Sequence, residues 1–279
     1  MKHTYDLRSS DGISLYCTAW IVPEPKATVL IMHGYAEHIE RYNYEASVLN
    51  AFGYSVFGYD QRAHGRSEGQ DCYINNFDDL CDDLKSVIKY INPQTPFFIH
   101  AHSVGALVTI KYLLDHHTSE MPKISGLITT SAALQVSRDL SPMLQKVSGI
   151  LGRLTPRLKT ISLPLKTISH VAAVQEDYEN DPYNYRGGIY ASAGYQILKT
   201  TKEVSSRLSE VSLPLLAMHG GDDKLIEKEG TDKLYNKASS TDKTIKIWDG
   251  LAHEITRSAD KADVFKMMTD WIQDRLTKH

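Results

Sequence analysis

The stretch Phe97-Phe98-Ile99-His100-Ala101-His102-Ser103-Val104-Gly105-Ala106-Leu107 constrains this chain more than any other. An apolar run suited to a buried strand stops at Ser103, and an apolar, helix-capable segment begins at once. Small residues, Ala101 and Gly105, stand two positions to either side of the serine. The arrangement follows the G-x-S-x-G pattern with alanine for the first glycine, and it would expose a hydroxyl on a sharp strand-to-helix turn. Small residues around a serine are common, so the pattern gains force only if the chain also supplies a base, an acid and oxyanion donors.

The rest of the chain sets that turn in a sheet. Residues 3–8 and 14–21 read as strands of a hairpin turning at Ser9-Ser10-Asp11-Gly12. Ala27–Met32, Tyr54–Tyr59 and Ile124–Thr130 are short apolar runs suited to buried strands. Helices are expected over Tyr44–Phe52 and Phe77–Ile91, and behind the serine through Leu114. Asp78, Asp79, Asp82 and Asp83 crowd one helix start and read as a solvated first turn, not a metal site. Strand and helix resume with Leu213–Met218, a helix near Gly230–Ala238, Thr244–Trp248 and a closing helix on Val264, Met268, Trp271 and Ile272. Such alternation predicts an α/β fold, a mostly parallel sheet with helices on both faces. Ligands of such sheets lie beyond the carboxyl ends of the strands. His33, Asp60 and Ser103 all follow strands and should gather there.

Between residues 132 and 208 the alternation breaks. Ser141-Pro142 would start a helix, Met143, Val147, Ile150, Leu151 and Leu154 would line one face, and Pro156 would stop it. Residues 1–131 and 209–279 are thus expected to form the core and residues 132–208 a helical cap over the strand ends. Lys146, Arg153, Arg157 and Lys159 accompany the apolar residues of this segment. Transient contact between the cap and a membrane surface is therefore a further expectation.

A serine hydroxyl becomes a nucleophile when a histidine takes its proton and a carboxylate orients that histidine. For a serine on this kind of turn, the acid and then the histidine follow along the chain. Ser103, then Asp222 or Asp223, then His253 satisfies the order, each in a loop after a strand. The other histidines read differently. His102 should point away from the active face, His100 should pack inside, and His33 and His64 should tie loops together. His116 and His117 end a helix, and His219 precedes both aspartates. The backbone N–H groups of Val104 and Tyr35 are the candidate oxyanion donors.

Further motifs extend the pattern. His33-Gly34-Tyr35-Ala36-Glu37-His38-Ile39-Glu40-Arg41-Tyr42 matches H-G-x-x-E-H-x-x-R-Y, and Asp60–Ser67 is similar to D-x-R-G-H-G-x-S with Ala63 in place of the middle glycine. Tyr178-Glu179-Asn180-Asp181-Pro182 matches Y-x-N-D-P, and the segment Asp242–Glu254 also fits. On these residues the chain resembles the α/β-hydrolase superfamily, and within it the monoacylglycerol lipases and related lysophospholipases. The resemblance spans nearly the whole chain and places the acid at Asp223, through H-G-x-x-D at His219-Gly220. It implies that Glu37 and Arg41 shape a small polar pocket for a glycerol headgroup, or form a salt bridge holding the loop, and that Tyr178 approaches from the cap. Mammalian members carry a second histidine three positions after the last one, where this chain has Thr256. Ala101 and Ala63 replace glycines of the family and are expected to be tolerated.

The implied activity is that of a carboxylic ester hydrolase cleaving monoacylglycerols to fatty acid and glycerol through an acyl-enzyme. A lysophospholipase or broad carboxylesterase is the alternative within enzymes, and a silent ligand-binding fold the alternative outside them. Aspartate-nucleophile hydrolases of the same architecture are excluded by Ser103. The net charge of −3 gives no reason to expect nucleic acid, and the partner called for is a small lipid ester. No metal or cofactor is called for. Three cysteines without metal spacing, no signal-like N-terminus and no long apolar span predict a cytoplasmic protein, peripheral at most to a membrane.

Overall fold

The apolar runs become strands because aliphatic side chains on both faces can be buried only between two helical layers. The computed structural model describes residues 1–137, 151–162 and 164–277. Its strands are β1 (Lys2–Arg8), β2 (Ser14–Trp20), β3 (Ala27–Met32), β4 (Tyr54–Tyr59), β5 (Phe97–His102), β6 (Ile124–Thr130), β7 (Leu215–Gly220) and β8 (Lys243–Trp248). They form one sheet in the order β1-β2-β4-β3-β5-β6-β7-β8. The pairs β1–β2 and β2–β4 are antiparallel, and all others are parallel.

Helices α1 (Asn43–Ala51), α2 (Asp78–Ile91) and α3 (Val104–Asp115) alternate with the strands. The segment between β6 and β7 holds one turn, α4 (Leu165–Ile168), and helices α5 (Ala172–Asn180) and α6 (Ala191–Ser206). Then come α7 (Glu229–Lys237) and α8 (Lys261–Leu276). Leu80, Leu84, Leu107, Val204 and Leu234 cover one face of the sheet, drawn from α2, α3, α6 and α7. Ala46, Leu49, Val264, Met268 and Trp271, from α1 and α8, cover the other. Of the helix expected from Ser141 to Leu154, residues 151–154 are helical and the chain turns at Pro156, while the earlier part lies outside the described residues.

Two expectations need correction. Asp78, Asp79 and Asp82 are partly exposed, but Asp83 is buried. Helical phase puts it on the same face as Leu80, Leu84 and Val87, so its charge needs partners within the protein. Arg62 supplies them with two hydrogen bonds of 2.6 and 2.7 Å, and the Ser9 hydroxyl donates a third. Strand β7 also runs two residues further than the apolar pattern, through His219 and Gly220, because pairing with Ile247 and Trp248 of β8 continues the ladder.

Parallel register aligns the strand ends. Met32 pairs with Ala101, His102 with Thr130, and Thr130 with Met218. The residues that follow, His33, Ser103 and Ser131, therefore emerge along one edge of the sheet. The inserted segment is fastened over that edge. The Tyr178 hydroxyl and the Tyr185 N–H both donate to Ala36 O, at 2.7 and 3.0 Å, and His38 pairs with Asp181 at 2.8 Å. The Tyr-Glu-Asn-Asp-Pro motif thus joins the insertion to the loop after β3.

Candidate active site

Ser103 has φ +52° and ψ −118°, a conformation costly for a residue with a side chain. Bonds on both sides hold it there. Its N–H donates to Thr130 O at 3.0 Å, and its carbonyl accepts from Ala106 and Ala133, each at 3.1 Å. Gly105 lets α3 approach β3, since a Cβ there would lie 2.4 Å from His33 O and 2.6 Å from Met32 O. Ala101 faces no such conflict; its methyl is buried in the core.

The histidine and the acid arrive from the next strand ends. His253 Nε2 lies 2.9 Å from Ser103 Oγ, and His253 Nδ1 lies 2.6 Å from Asp223 Oδ2. Asp223 Oδ1 accepts the N–H groups of Leu225 and Ile226 at 2.8 and 3.0 Å. A carboxylate so placed takes the Nδ1 hydrogen and leaves the Nε2 lone pair facing the serine. Burial alone would lower the basicity of His253, but the Asp223 carboxylate outweighs it and holds the imidazole above its ordinary value. Burial opposes the charge of Asp223 in turn, yet His253 and His219 keep it well below the usual carboxylate range.

Further residues support this arrangement. The Ser131 hydroxyl donates to His253 O at 2.7 Å and fixes the loop. Gly220 admits that loop, because a Cβ would lie 2.1 Å from Ala252 O. His219 Nε2 lies 3.1 Å from both Ile226 O and Asp223 Oδ2, so it carries a hydrogen and donates to the acid. The sequence signal for that contact is the H-G-x-x-D motif, which puts His219 four residues before Asp223.

His102 does not point away from this face. Its ring lies beside that of His253, with centroids 4.8 Å apart, and its Nδ1 lies 3.1 Å from Thr130 O. Burial first, then the neighbouring His253, lower its pKa to about 3, so it stays neutral. His100 is packed inside between Glu45 and Thr130, and His33 and Gln61 tie the loops after β3 and β4 together.

Tyr35 and Val104 line the same cavity as Ser103, His253, Glu37 and Tyr178, with a volume of about 300 Å³. Val136, Ile161, Ile168, Ile189, Ile197 and Leu225 make most of its wall apolar. Glu37 and Arg41 form a buried ion network. Glu37 accepts from the Gly34 N–H at 2.6 Å, the Tyr42 hydroxyl at 2.8 Å and Arg41 at 2.7 Å. Arg41 also grips Glu254 through two bonds of 2.6 and 3.0 Å and lies 4.8 Å from the Tyr178 ring. Glu37 is buried, which disfavours its charge, but Arg41 and, behind it, other neighbours such as Arg257 together hold the carboxyl below the usual carboxylate range. A larger groove of about 730 Å³ lies beyond this network, lined by His38, Arg66, Asp181 and Arg257, and contains neither Ser103 nor His253. Thr256 faces that groove and is not part of the wall around Ser103.

A relay from a buried carboxylate through an imidazole to a strained serine hydroxyl can deprotonate that hydroxyl as it attacks a carbonyl. Known proteins are similar over most of the chain. A family model described as Hydrolase_4, serine aminopeptidase S33, matches residues 23–260. The chain is similar to the monoacylglycerol lipase of Mycolicibacterium smegmatis, with 27% identity over 270 residues and 95% of each chain covered. It is similar to the phospholipase YtpA of Bacillus subtilis, with 30% identity over 251 residues, 88% of this chain and 95% of that one. Its structure is similar to that of a Paleococcus ferrophilus monoacylglycerol lipase, with 25% identity, a TM-score of 0.83, and coverage of 94% of this chain and 99% of that one. The chain accordingly belongs to the Hydrolase_4 (serine aminopeptidase, S33) family of the α/β-hydrolase superfamily, and is a carboxylic ester hydrolase of its monoacylglycerol lipase group.

Proposed function

We propose that this hydrolase cleaves monoacylglycerols to fatty acid and glycerol, with Ser103, His253 and Asp223 as its triad. The observation that carries the reading is the line of hydrogen bonds from Asp223 to Ser103, which opens on an apolar cavity suited to one acyl chain. Ser103 Oγ attacks the ester carbonyl while His253 Nε2 takes its proton. The N–H groups of Tyr35 and Val104 receive the developing oxyanion. The carbon–oxygen bond to glycerol then breaks, and His253 returns the proton to the departing alkoxide. Water repeats the sequence on the acyl-enzyme, giving its proton to His253 and releasing the acid and free Ser103.

The segment 132–208 acts in this reading as a cap, supported by the seating of Ile161, Ile168 and Ile189 around the cavity. Glu37 borders the headgroup, Arg41 acts from behind by fixing Glu37 and Glu254, and Tyr178 closes the wall from the cap. Leu154, Leu158 and Ile161 are exposed beside Arg153, Arg157 and Lys159, a composition suited to transient contact with a lipid surface by a peripheral cytoplasmic enzyme. The phospholipase similarity keeps lysophospholipid hydrolysis as the second reading. Two measurements test the proposal. A fluorophosphonate probe should label the wild type and not Ser103→Ala, and a panel of single-chain esters should favour neutral glycerol headgroups over choline lysophospholipid. Preference for the lysophospholipid overturns the substrate, and absence of labelling overturns the mechanism.

A further inference from the structure

The residue directly after Asp223 is Lys224, and it is one of the residues lining the cavity that holds Ser103. It is exposed, which places it where the cavity meets solvent. Among the described residues it is the only lysine or arginine in that wall. The two carboxylates of the wall, Glu37 and Glu254, are already bound by Arg41, and Arg257 lies 3.3 Å from Glu254. No carboxylate among the described residues pairs with Lys224. Its backbone is fixed, because Asp223 Oδ1 holds the next two N–H groups and the Asp223 N–H donates to Gly220 O. An unpaired ammonium on an anchored turn, beside a largely apolar cavity, is a point charge awaiting an anion.

We infer that Lys224 is a specificity-determining residue whose charge raises activity toward single-chain esters bearing an anionic group, a phosphate or a carboxylate, above what the enzyme would show without it. This rests on the ester hydrolysis proposed above and extends it to the charge of the substrate. The anion has two possible sources, a phosphate on the alcohol side or a carboxylate at the far end of the acyl chain. They are separated by experiment. Purified protein is given monododecanoylglycerol, its phosphate monoester, or the glycerol monoester of dodecanedioic acid, each below the concentration at which it aggregates. The readout is kcat/KM for each anionic ester divided by that for the neutral one.

For one of the anionic esters, Lys224→Met lowers the ratio by about tenfold, the scale of one charge-assisted hydrogen bond. The loss falls on KM. Lys224→Glu lowers the ratio further, Lys224→Arg restores it, and added salt reduces it in the wild type. The ester that responds identifies the side of the scissile bond that Lys224 faces. A ratio within twofold of wild type for both esters, in both the Met and the Glu variant, overturns the assignment while leaving the hydrolysis intact. Failure of the wild type to cleave any of the three esters removes the reaction and the assignment together.

Discussion

Replacing Asp223 by asparagine isolates what the buried charge contributes. Oδ1 accepts two backbone N–H groups, so the asparagine oxygen must take that place. Its NH2 group is then forced into the position of Oδ2, 2.6 Å from His253 Nδ1 and 3.1 Å from His219 Nε2. It donates to Nδ1, which drives the imidazole hydrogen to Nε2, where it faces Ser103 and blocks proton uptake. It also meets the hydrogen on His219 Nε2. Two losses follow. The attraction between carboxylate and imidazolium, with charge centres about 4 Å apart, is about 4 kcal/mol at an effective dielectric of ~20. The wrong tautomer adds to it, and together they amount to about 5 kcal/mol, or roughly ten-thousand-fold in kcat. The turn keeps its backbone hydrogen bonds, so the variant should remain folded. Steady-state hydrolysis of a monoacylglycerol, beside a thermal melt, measures both. A folded Asp223→Asn protein with kcat within tenfold of wild type would refute the reasoning.

Three other outcomes are expected. In the proposed mechanism His253 must be neutral to act, and Asp223 holds its pKa above the ordinary value, so kcat/KM should fall tenfold per pH unit below a midpoint above about 6.5; Glu254→Gln, which removes a nearby negative charge, should shift that midpoint downward. Gly220→Ala places a methyl 2.1 Å from Ala252 O, and should cost about 1–3 kcal/mol in denaturant titrations and lower kcat by displacing the His253 loop. Ala63 has φ +64°, in the left-handed region that glycine occupies without strain. Ala63→Gly should therefore relieve about 1–2 kcal/mol in the folded state and lose part of it to unfolded-chain entropy, for a net gain of up to about 1 kcal/mol by melting or denaturant titration.

Where the expectations held, the governing physics is local. Ala27–Met32, Tyr54–Tyr59 and Ile124–Thr130 coincide with strands to the residue because continuous apolar runs can be satisfied only between two helical layers. The final helix packs on Val264, Met268, Trp271 and Ile272 for the same reason of period. Where they failed, the outcome depended on neighbours distant in sequence. Asp83 is indistinguishable by type from Asp82, and only the approach of Arg62 makes its burial possible. His102 borders the site because the fold brings His253, a residue from the far end of the chain, to 4.8 Å from its ring.

The amino-acid order by itself determined the alternating layers and the succession of Ser103, an aspartate at 222 or 223, and His253 along the chain, since these follow from periodicity, turn chemistry and chain order. The tertiary structure alone decided how Glu37, Arg41, Glu254 and Arg257 share their charges, with Arg41 and Glu254 separated by 213 residues. It alone placed Lys224, with which no carboxylate among the described residues pairs, in the wall of the cavity. Pairing of buried charges is a property of where the folded chain brings them, and sequence spacing carries no such distance.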